Sequence, residues 1–174
     1  MKHTIVALLQ DHPGVLTRAV SLFRRRGFNI ESLAVGRSET RGVSRMTLVV
    51  EAEDVEQVVK QLYRLVEVLK VSDVTNEATV EREVALIKVD APAARRTEIS
   101  ALVHMFGARV VDVSPTTMIV EATATPAKLE SFLELLRPFG LKELARTGRI
   151  AMLRGPSAQR VELEEAAAVR AVGR

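Results

Sequence analysis

The sequence predicts an α+β protein made of two ferredoxin-like βαββαβ domains in tandem. Short apolar runs alternate with segments of helical periodicity, and this order of elements occurs twice along the chain. A length of 174 residues suits two small domains, and a hydrophobic content of 47% gives each a modest core. We place the first domain at residues 1–77, the second at 78–154 and a charged, alanine-rich tail at 155–174. Residues 162–172 of this tail have the composition of a helix.

Three local signals predict the first half of the first domain. The apolar run Ile5–Leu9 has the length of a buried strand. Residues 15–26 then place apolar side chains on one face of a 3.6-residue period, which predicts a helix with Pro13 in its first turn. Gly27 suits the position after a helix end, where the arginines at 24–26 complement the helix dipole. These arginines therefore need no nucleic acid to explain them.

The second half of the first domain continues the same order. Ser44–Glu51 alternates like a strand, and Asp54 suits the N-cap of a second helix. The other predicted elements are a strand from Phe28 to about Val35, a polar turn over 36–42, helical apolar positions from Val55 to Val66, and a strand Val68–Val74. The first domain is then β-α-β-β-α-β, with two helices covering one face of an antiparallel sheet.

The second domain repeats this order. Its predicted elements are a strand Val84–Val89, a helix from Arg95 to Phe106, strands Val110–Val113 and Thr117–Glu121, a helix capped by Thr125, and an extended stretch Leu141–Leu153 that turns at Thr147-Gly148. The loop after its first strand, Asp90-Ala91-Pro92-Ala93, lacks the glycine found at the corresponding place in the first domain. We therefore expect the two halves to have different functions.

The composition excludes several classes of protein. The absence of cysteine rules out disulfide frameworks, thiolate nucleophiles and cysteine-based metal sites. The net charge is only +3, the charges are interspersed and aromatic residues make up 3%, which favours a solvated surface over a nucleic-acid footprint. The N-terminus lacks a secretory segment and no apolar run has the length of a membrane span, so we expect a cytoplasmic protein.

Motifs for catalysis are not visible either. The three histidines are scattered, and neither a serine elbow nor a phosphate-binding glycine loop is present. The closest carboxylates, Glu51, Glu53 and Asp54, are explained by a strand end followed by a helix cap. We therefore expect no catalytic residue and no metal site on this chain.

The most informative segment is Asp11-His12-Pro13-Gly14-Val15-Leu16, between the first strand and the first helix. A helix N-terminus presents unpaired N–H groups and a partial positive charge, so the amides near Gly14, Val15 and Leu16 can hold a ligand carboxylate. The alternative is a turn that only starts the helix, because Asp-x-Pro-Gly is common turn chemistry. These six residues alone favour that alternative.

A longer pattern changes this weighting. The segments ALLQDHPGVLTRAVSLFRRRGFNIESLAVGRSETRGVSRMTLVV, KQLYRLVEVLKVSDVT and VEREVALIKV resemble the small regulatory subunit of acetolactate synthase (acetohydroxyacid synthase). The similarity extends from about Met1 to Leu153. It implies an N-terminal ACT domain that binds an amino acid, followed by a C-terminal domain of related topology. It also implies a large catalytic partner that holds thiamine diphosphate, FAD and magnesium and condenses two pyruvates, or pyruvate with 2-oxobutyrate.

The same resemblance implies an effector site between the ACT domains of a homodimer. Asp11, Gly14, Val15 and Leu16 of one protomer form one wall, and Asn29 and Ile30 of the second protomer form the other. A free amino acid such as valine needs an anion site, an acceptor for its ammonium group and a small apolar pocket, and these residues offer all three. Members of the family often carry Asn in place of Asp11. A carboxylate at position 11 accepts from the ammonium group of the ligand. It repels the ligand carboxylate if the Asp11 side chain turns towards that group.

The function expected from this resemblance is that of a non-catalytic subunit which activates its large partner and confers feedback inhibition by valine. One alternative is a free-standing amino-acid-binding ACT protein that regulates another enzyme or a transcription factor. A second alternative, an RNA-binding protein of similar topology, requires an aromatic sheet face, which one tyrosine and five phenylalanines placed mostly in cores do not supply.

Overall fold

The computed structural model describes residues 1–159 and divides them into two compact units. The first unit comprises Met1–Val80 and residues 149–159, and the second comprises Glu81–Gly148. Each unit has its own antiparallel sheet with two α-helices, which confirms the predicted fold class. The part of the tail predicted to be helical lies outside the described residues. None of the helices within residues 1–159 is long and apolar enough to cross a membrane.

The first unit is built on a four-stranded sheet of order β2-β3-β1-β4. Its elements are β1 (Lys2–Gln10), α1 (Val15–Arg26), β2 (Asn29–Arg37), β3 (Val43–Glu51), α2 (Val55–Leu62) and β4 (Val68–Asp73). Both helices pack on one face, where Phe23 of α1 and Leu62 of α2 share a core with Ile5 and Met46 of the central strands. The order of strands leaves β2 at the edge of the sheet.

The helix ends in the first unit test the end signals that the sequence predicts. Gly27 ends α1 in the left-handed conformation at φ 71°, as predicted. The Asp54 side chain accepts hydrogen bonds from the backbone N–H groups of Glu56 (2.9 Å) and Gln57 (3.3 Å), which confirms its predicted role as the cap of α2. The placement of Pro13 was wrong, because α1 begins at Val15 and Pro13 lies in the turn before it.

The second helix is shorter than its apolar periodicity predicts. It ends at Leu62 rather than near Val66, and the N–H groups of Arg64 and Leu65 donate to carbonyls only three residues back, at 3.2 and 3.0 Å. This tightening turns the chain early enough for β4 to pair with β1. Val66 is left 81% exposed.

The second unit contains a sheet of order β6-β7-β5-β8. Its elements are β5 (Thr79–Asp90), α3 (Arg96–Met105), β6 (Arg109–Val113), β7 (Thr117–Ala124), α4 (Pro126–Leu136) and β8 (Leu141–Arg146), with short 3-10 turns at Ala93–Arg95 and Arg137–Phe139. Buried Glu83 accepts from Nε and Nη2 of Arg146 at 2.8 and 2.7 Å. This bidentate pair raises the pKa of the Arg146 guanidinium above its usual value and satisfies the buried carboxylate.

Residues 149–159, the closing segment, return to the first unit. They include β9 (Ile150–Leu153), whose Ala151 packs against Val6 and Val74 on the helix-free face of the first sheet. Arg45 of β3 donates from Nη2 to the carbonyl oxygen of Ala151 at 2.7 Å. Grouping by contacts places residues 149–154 with the first unit, while the domain boundaries drawn from the sequence stay a prediction. The predicted turn at Thr147-Gly148 is present, since Gly148 has φ 83° between β8 and β9.

Candidate functional site

The loop that follows β1 is tied to the hairpin between β2 and β3 through Asp11. The Asp11 N–H donates to the Gly42 carbonyl oxygen at 2.9 Å, and the Ser44 hydroxyl donates to Asp11 Oδ1 at 3.1 Å. The second carboxylate oxygen, Oδ2, lies 3.8 Å from Arg37 Nε. This separation is an ion pair but too long for a hydrogen bond. Asp11 therefore has one oxygen fixed by the hairpin and one that faces a cation and solvent.

Gly14 forms the start of α1 and gives the loop its shape. It is the N-cap residue at φ 88°, a backbone conformation that L side chains rarely adopt, and α1 has no side-chain cap hydrogen bond at this end. No side chain therefore accepts from the first amides of the helix, and the Val15 N–H donates to the His12 carbonyl oxygen at 3.5 Å. A helix start of this kind is able to bind a carboxylate.

The two residues that follow Gly14 differ in exposure. Val15 is buried in the core with Phe23, so only its backbone is available to a ligand. Leu16 is 41% exposed and can offer apolar contact. Of these two residues in the predicted wall of the effector site, Val15 therefore offers backbone groups and Leu16 offers an accessible apolar side chain.

Arg18 is a neighbour of this loop that sequence reasoning missed. A β-carbon added to Gly14 would come within 3.3 Å of Arg18 Nη1, while Nη2 of the same guanidinium lies 2.5 Å from Glu67 Oε1. The available signal was its position one helical turn after Gly14, because side chains of a helix lean towards its N-terminus. Its pairing with Glu67 was not visible in the sequence.

Asn29 and Ile30 lie at the other end of the same sheet. Asn29 opposes Glu51 in β3, and Glu51 opposes Lys2 at the start of β1. The Asp11 loop instead follows Gln10 at the other end of β1. Gln10 is about eight residues from Lys2, which corresponds to roughly 25 Å along the strand. Asn29 is exposed and Ile30 is half-buried. A single chain therefore does not bring its own Asn29 to its own Gly14.

The equivalent loop of the second unit is occupied by its own side chain. Arg96 donates from Nε to the Ala91 carbonyl oxygen at 3.0 Å, and from Nη2 to those of Ser114 (2.5 Å) and Pro115 (2.9 Å). The Ala91 N–H also donates to the Thr116 carbonyl oxygen at 2.7 Å, in the same way that Asp11 contacts Gly42. The two loops thus share a backbone bridge, but only the second has a guanidinium bound across it.

Groups that suggest metal binding or acid–base chemistry are sparse in the described part of the chain. Residues 1–159 contain no cluster of three or more His, Asp or Glu side chains arranged to hold a metal ion. His12, beside the loop, is exposed, and its Nε2 lies 2.8 Å from Gln10 Oε1. His3 is buried, which its sequence position did not predict, and its Nδ1 lies 3.5 Å from the Thr75 hydroxyl.

Comparison with known proteins gives the family. Residues 5–70 match the family described as the AHAS small subunit-like ACT domain, and residues 82–155 match the family described as the small subunit of acetolactate synthase. This chain belongs to the acetolactate synthase small-subunit family. The first unit is therefore an ACT domain, as the sequence resemblance implied.

Individual relatives of the acetolactate synthase small subunit cover nearly the whole chain. A probable acetolactate synthase small subunit from Archaeoglobus fulgidus is 55% identical over 157 residues, which are 89% of this chain and 98% of that protein. The acetolactate synthase small subunit of Bacillus subtilis is 49% identical over 158 residues, 89% of this chain and 92% of its own length. The crystal structure of the small subunit from Thermotoga maritima has a TM-score of 0.83 and 43% identity, covering 90% of this chain and 99% of that one.

Proposed function

We propose that this chain activates a large acetolactate synthase subunit and makes that enzyme sensitive to inhibition by valine. The observation that carries the proposal is the helix start at Gly14, which lies beside the Asp11 carboxylate in a domain of the matching family. An α-amino acid presents an anion and a cation two bonds apart along its backbone. The amides of α1 suit the anion and the Asp11 carboxylate suits the cation.

The site is completed by a second copy of the chain. β2 is a nine-residue edge strand, and such an edge offers backbone N–H and C=O groups for pairing with another strand. Antiparallel pairing of two β2 strands about a two-fold axis near Leu33 sets Asn29 of one protomer opposite Arg37 of the other. Asn29 and Ile30 of one protomer then lie near the partner's Asp11 loop, with Leu16 and Ile30 as the apolar contacts.

Catalysis belongs to the large partner in this proposal. Thiamine diphosphate, FAD and magnesium reside on the large subunit, and this chain supplies binding surface and regulation. Valine bound between two ACT domains favours one arrangement of the subunits over another, and this change in population alters the rate at a distant active site. The C-terminal unit, whose corresponding loop is closed by Arg96, serves assembly rather than effector binding.

The test is an assay of acetolactate formation from pyruvate with the large subunit, with and without this chain, and with valine, leucine or isoleucine added. We expect this chain to raise the rate of the large subunit, and valine to lower that raised rate. Acetolactate formation by the pure chain, supplied with all three cofactors, would contradict the proposal. Failure to co-purify with the large subunit, together with binding of an amino acid, would favour a free-standing ACT regulator instead.

A further inference from the structure

The charge of Asp11 poses a problem for the binding of an amino acid carboxylate. A carboxylate at this position attracts the ammonium group of the ligand but repels its carboxylate, which must lie within a few ångströms. Within residues 1–159, Arg18 and Arg37 are cations near the loop. Arg18 lies 2.5 Å from Glu67, a carboxylate whose side chain is only 18% exposed, so its charge is already compensated.

Arg37 is in a different situation. Its Nε lies 3.8 Å from Asp11 Oδ2, beyond hydrogen-bond distance, and its side chain is 91% exposed. It is the last residue of edge strand β2, on the side of the loop that faces the proposed partner. Ser44 holds the other oxygen of Asp11, so Oδ2 remains able to accept from a new donor. An open, loosely associated pair of opposite charges is complementary to a zwitterion.

We propose that Arg37 is a specificity-determining residue of the effector site, binding the carboxylate of an α-amino acid while Asp11 Oδ2 accepts from its ammonium group. The inference rests on the proposed function. Effector binding exchanges one loose ion pair for two charge-assisted interactions, in which each protein charge gains a closer partner. Without Arg37, Asp11 would be an uncompensated anion beside the ligand carboxylate.

The test measures the affinity of the full-length chain for valine and for valinamide by titration calorimetry. Valinamide keeps the ammonium group and lacks the carboxylate. Arg37→Gln should weaken valine binding about tenfold, in line with a lost hydrogen bond between charged groups. Its affinity for valinamide should not fall, because no carboxylate contact is lost. Arg41→Gln is the matched control, an exposed arginine in the same hairpin, and should bind both ligands like the wild type.

A double variant tests whether both charges bind the ligand. Asp11→Asn combined with Arg37→Gln removes both charged partners of the ligand, so valine affinity should fall at least as far as in Arg37→Gln alone. Wild-type valine affinity in Arg37→Gln would overturn the inference, and so would an equal loss for valine and valinamide. A double variant that binds valine like the wild type would also overturn it. A wild-type chain that binds no valine, leucine or isoleucine would overturn the proposed function as well.

Discussion

At the scale of single residues, Gly14 combines a backbone requirement with a chemical one. Its φ of 88° suits glycine, and a side chain placed there would point towards the Arg18 guanidinium. Any L-residue at this position therefore carries a conformational cost of about 1–2 kcal/mol. An acidic side chain adds a negative charge where the effector carboxylate is proposed to bind.

These two effects can be separated by comparing Gly14→Ala with Gly14→Asp. Both variants should lose about 1–2 kcal/mol of unfolding free energy in urea titrations, because both strain the backbone. Valine affinity should be clearly lower in Gly14→Asp than in Gly14→Ala, because only the former adds a competing carboxylate. Gly36→Ala is the control for stability, since Gly36 has no left-handed φ and no atom within 4 Å of an added β-carbon. Equal valine affinity in both Gly14 variants would argue against a carboxylate site at this loop.

At the scale of elements, edge strand β2 links assembly to effector binding in the proposed dimer. Val35 is 43% exposed on this strand and close to the proposed two-fold axis at Leu33. Pairing about Leu33 sets position 35 of one protomer opposite Glu31 of the other, so a glutamate at 35 would face a like charge, and like charges directly opposite each other are destabilising. The dimer and the shared effector site should weaken together.

Val35→Glu should therefore raise the dissociation constant of the dimer by tenfold or more in sedimentation equilibrium. Valine binding at a fixed protein concentration should fall in parallel, because each site needs residues from two protomers. Val66→Glu is the matched control, an even more exposed valine outside β2, and should leave the dimer unchanged. Valine binding that persists in a monomeric Val35→Glu protein would show that one protomer is sufficient.

At the scale of the whole molecule, the closing segment secures the helix-free face of the first sheet. Arg45 reaches this segment with hydrogen bonds to the carbonyl oxygens of Ala151 (2.7 Å) and Gln159 (3.3 Å). Partial burial lowers the pKa of the Arg45 guanidinium, and the nearby charge of Glu39 acts in the opposite direction. A half-buried cation with carbonyl partners contributes on the order of 1.5–3 kcal/mol to holding the segment in place.

Replacing this cation should loosen the closing segment locally. In Arg45→Met, which keeps most of the apolar stem, amide hydrogen exchange over residues 150–153 should become at least tenfold faster. The strands β1 and β3 should keep their protection, because their core with α1 and α2 is untouched. Arg41→Met, exposed in the β2–β3 hairpin, serves as the control. Unchanged exchange at 150–153 would show that other contacts, such as Ala151 packing and the 2.7 Å hydrogen bond from the Arg149 N–H to the Ser32 hydroxyl, hold the segment without Arg45.

The sequence by itself determined the elements, the fold class and the family. Periodicity located the four α-helices found within residues 1–159, and Gly27, Asp54 and Thr125 marked helix ends because their effects act on neighbouring backbone groups. The candidate loop was visible for the same reason, since its chemistry lies in consecutive residues. Its role in binding an effector stays a prediction.

Only the tertiary structure decided which distant groups meet. The early end of α2, the return of residues 149–159 to the first sheet, and the pairing of Asp11 with Arg37 and Ser44 all depend on strand register. Register is set by cooperative packing of many side chains across the sheet, and no short stretch of sequence encodes it. The separation of Asn29 from Gly14 within one chain has the same origin. Strands β1 and β2 both run antiparallel to β3 and are therefore parallel to each other, which places the end of β1 and the start of β2 at opposite ends of the sheet.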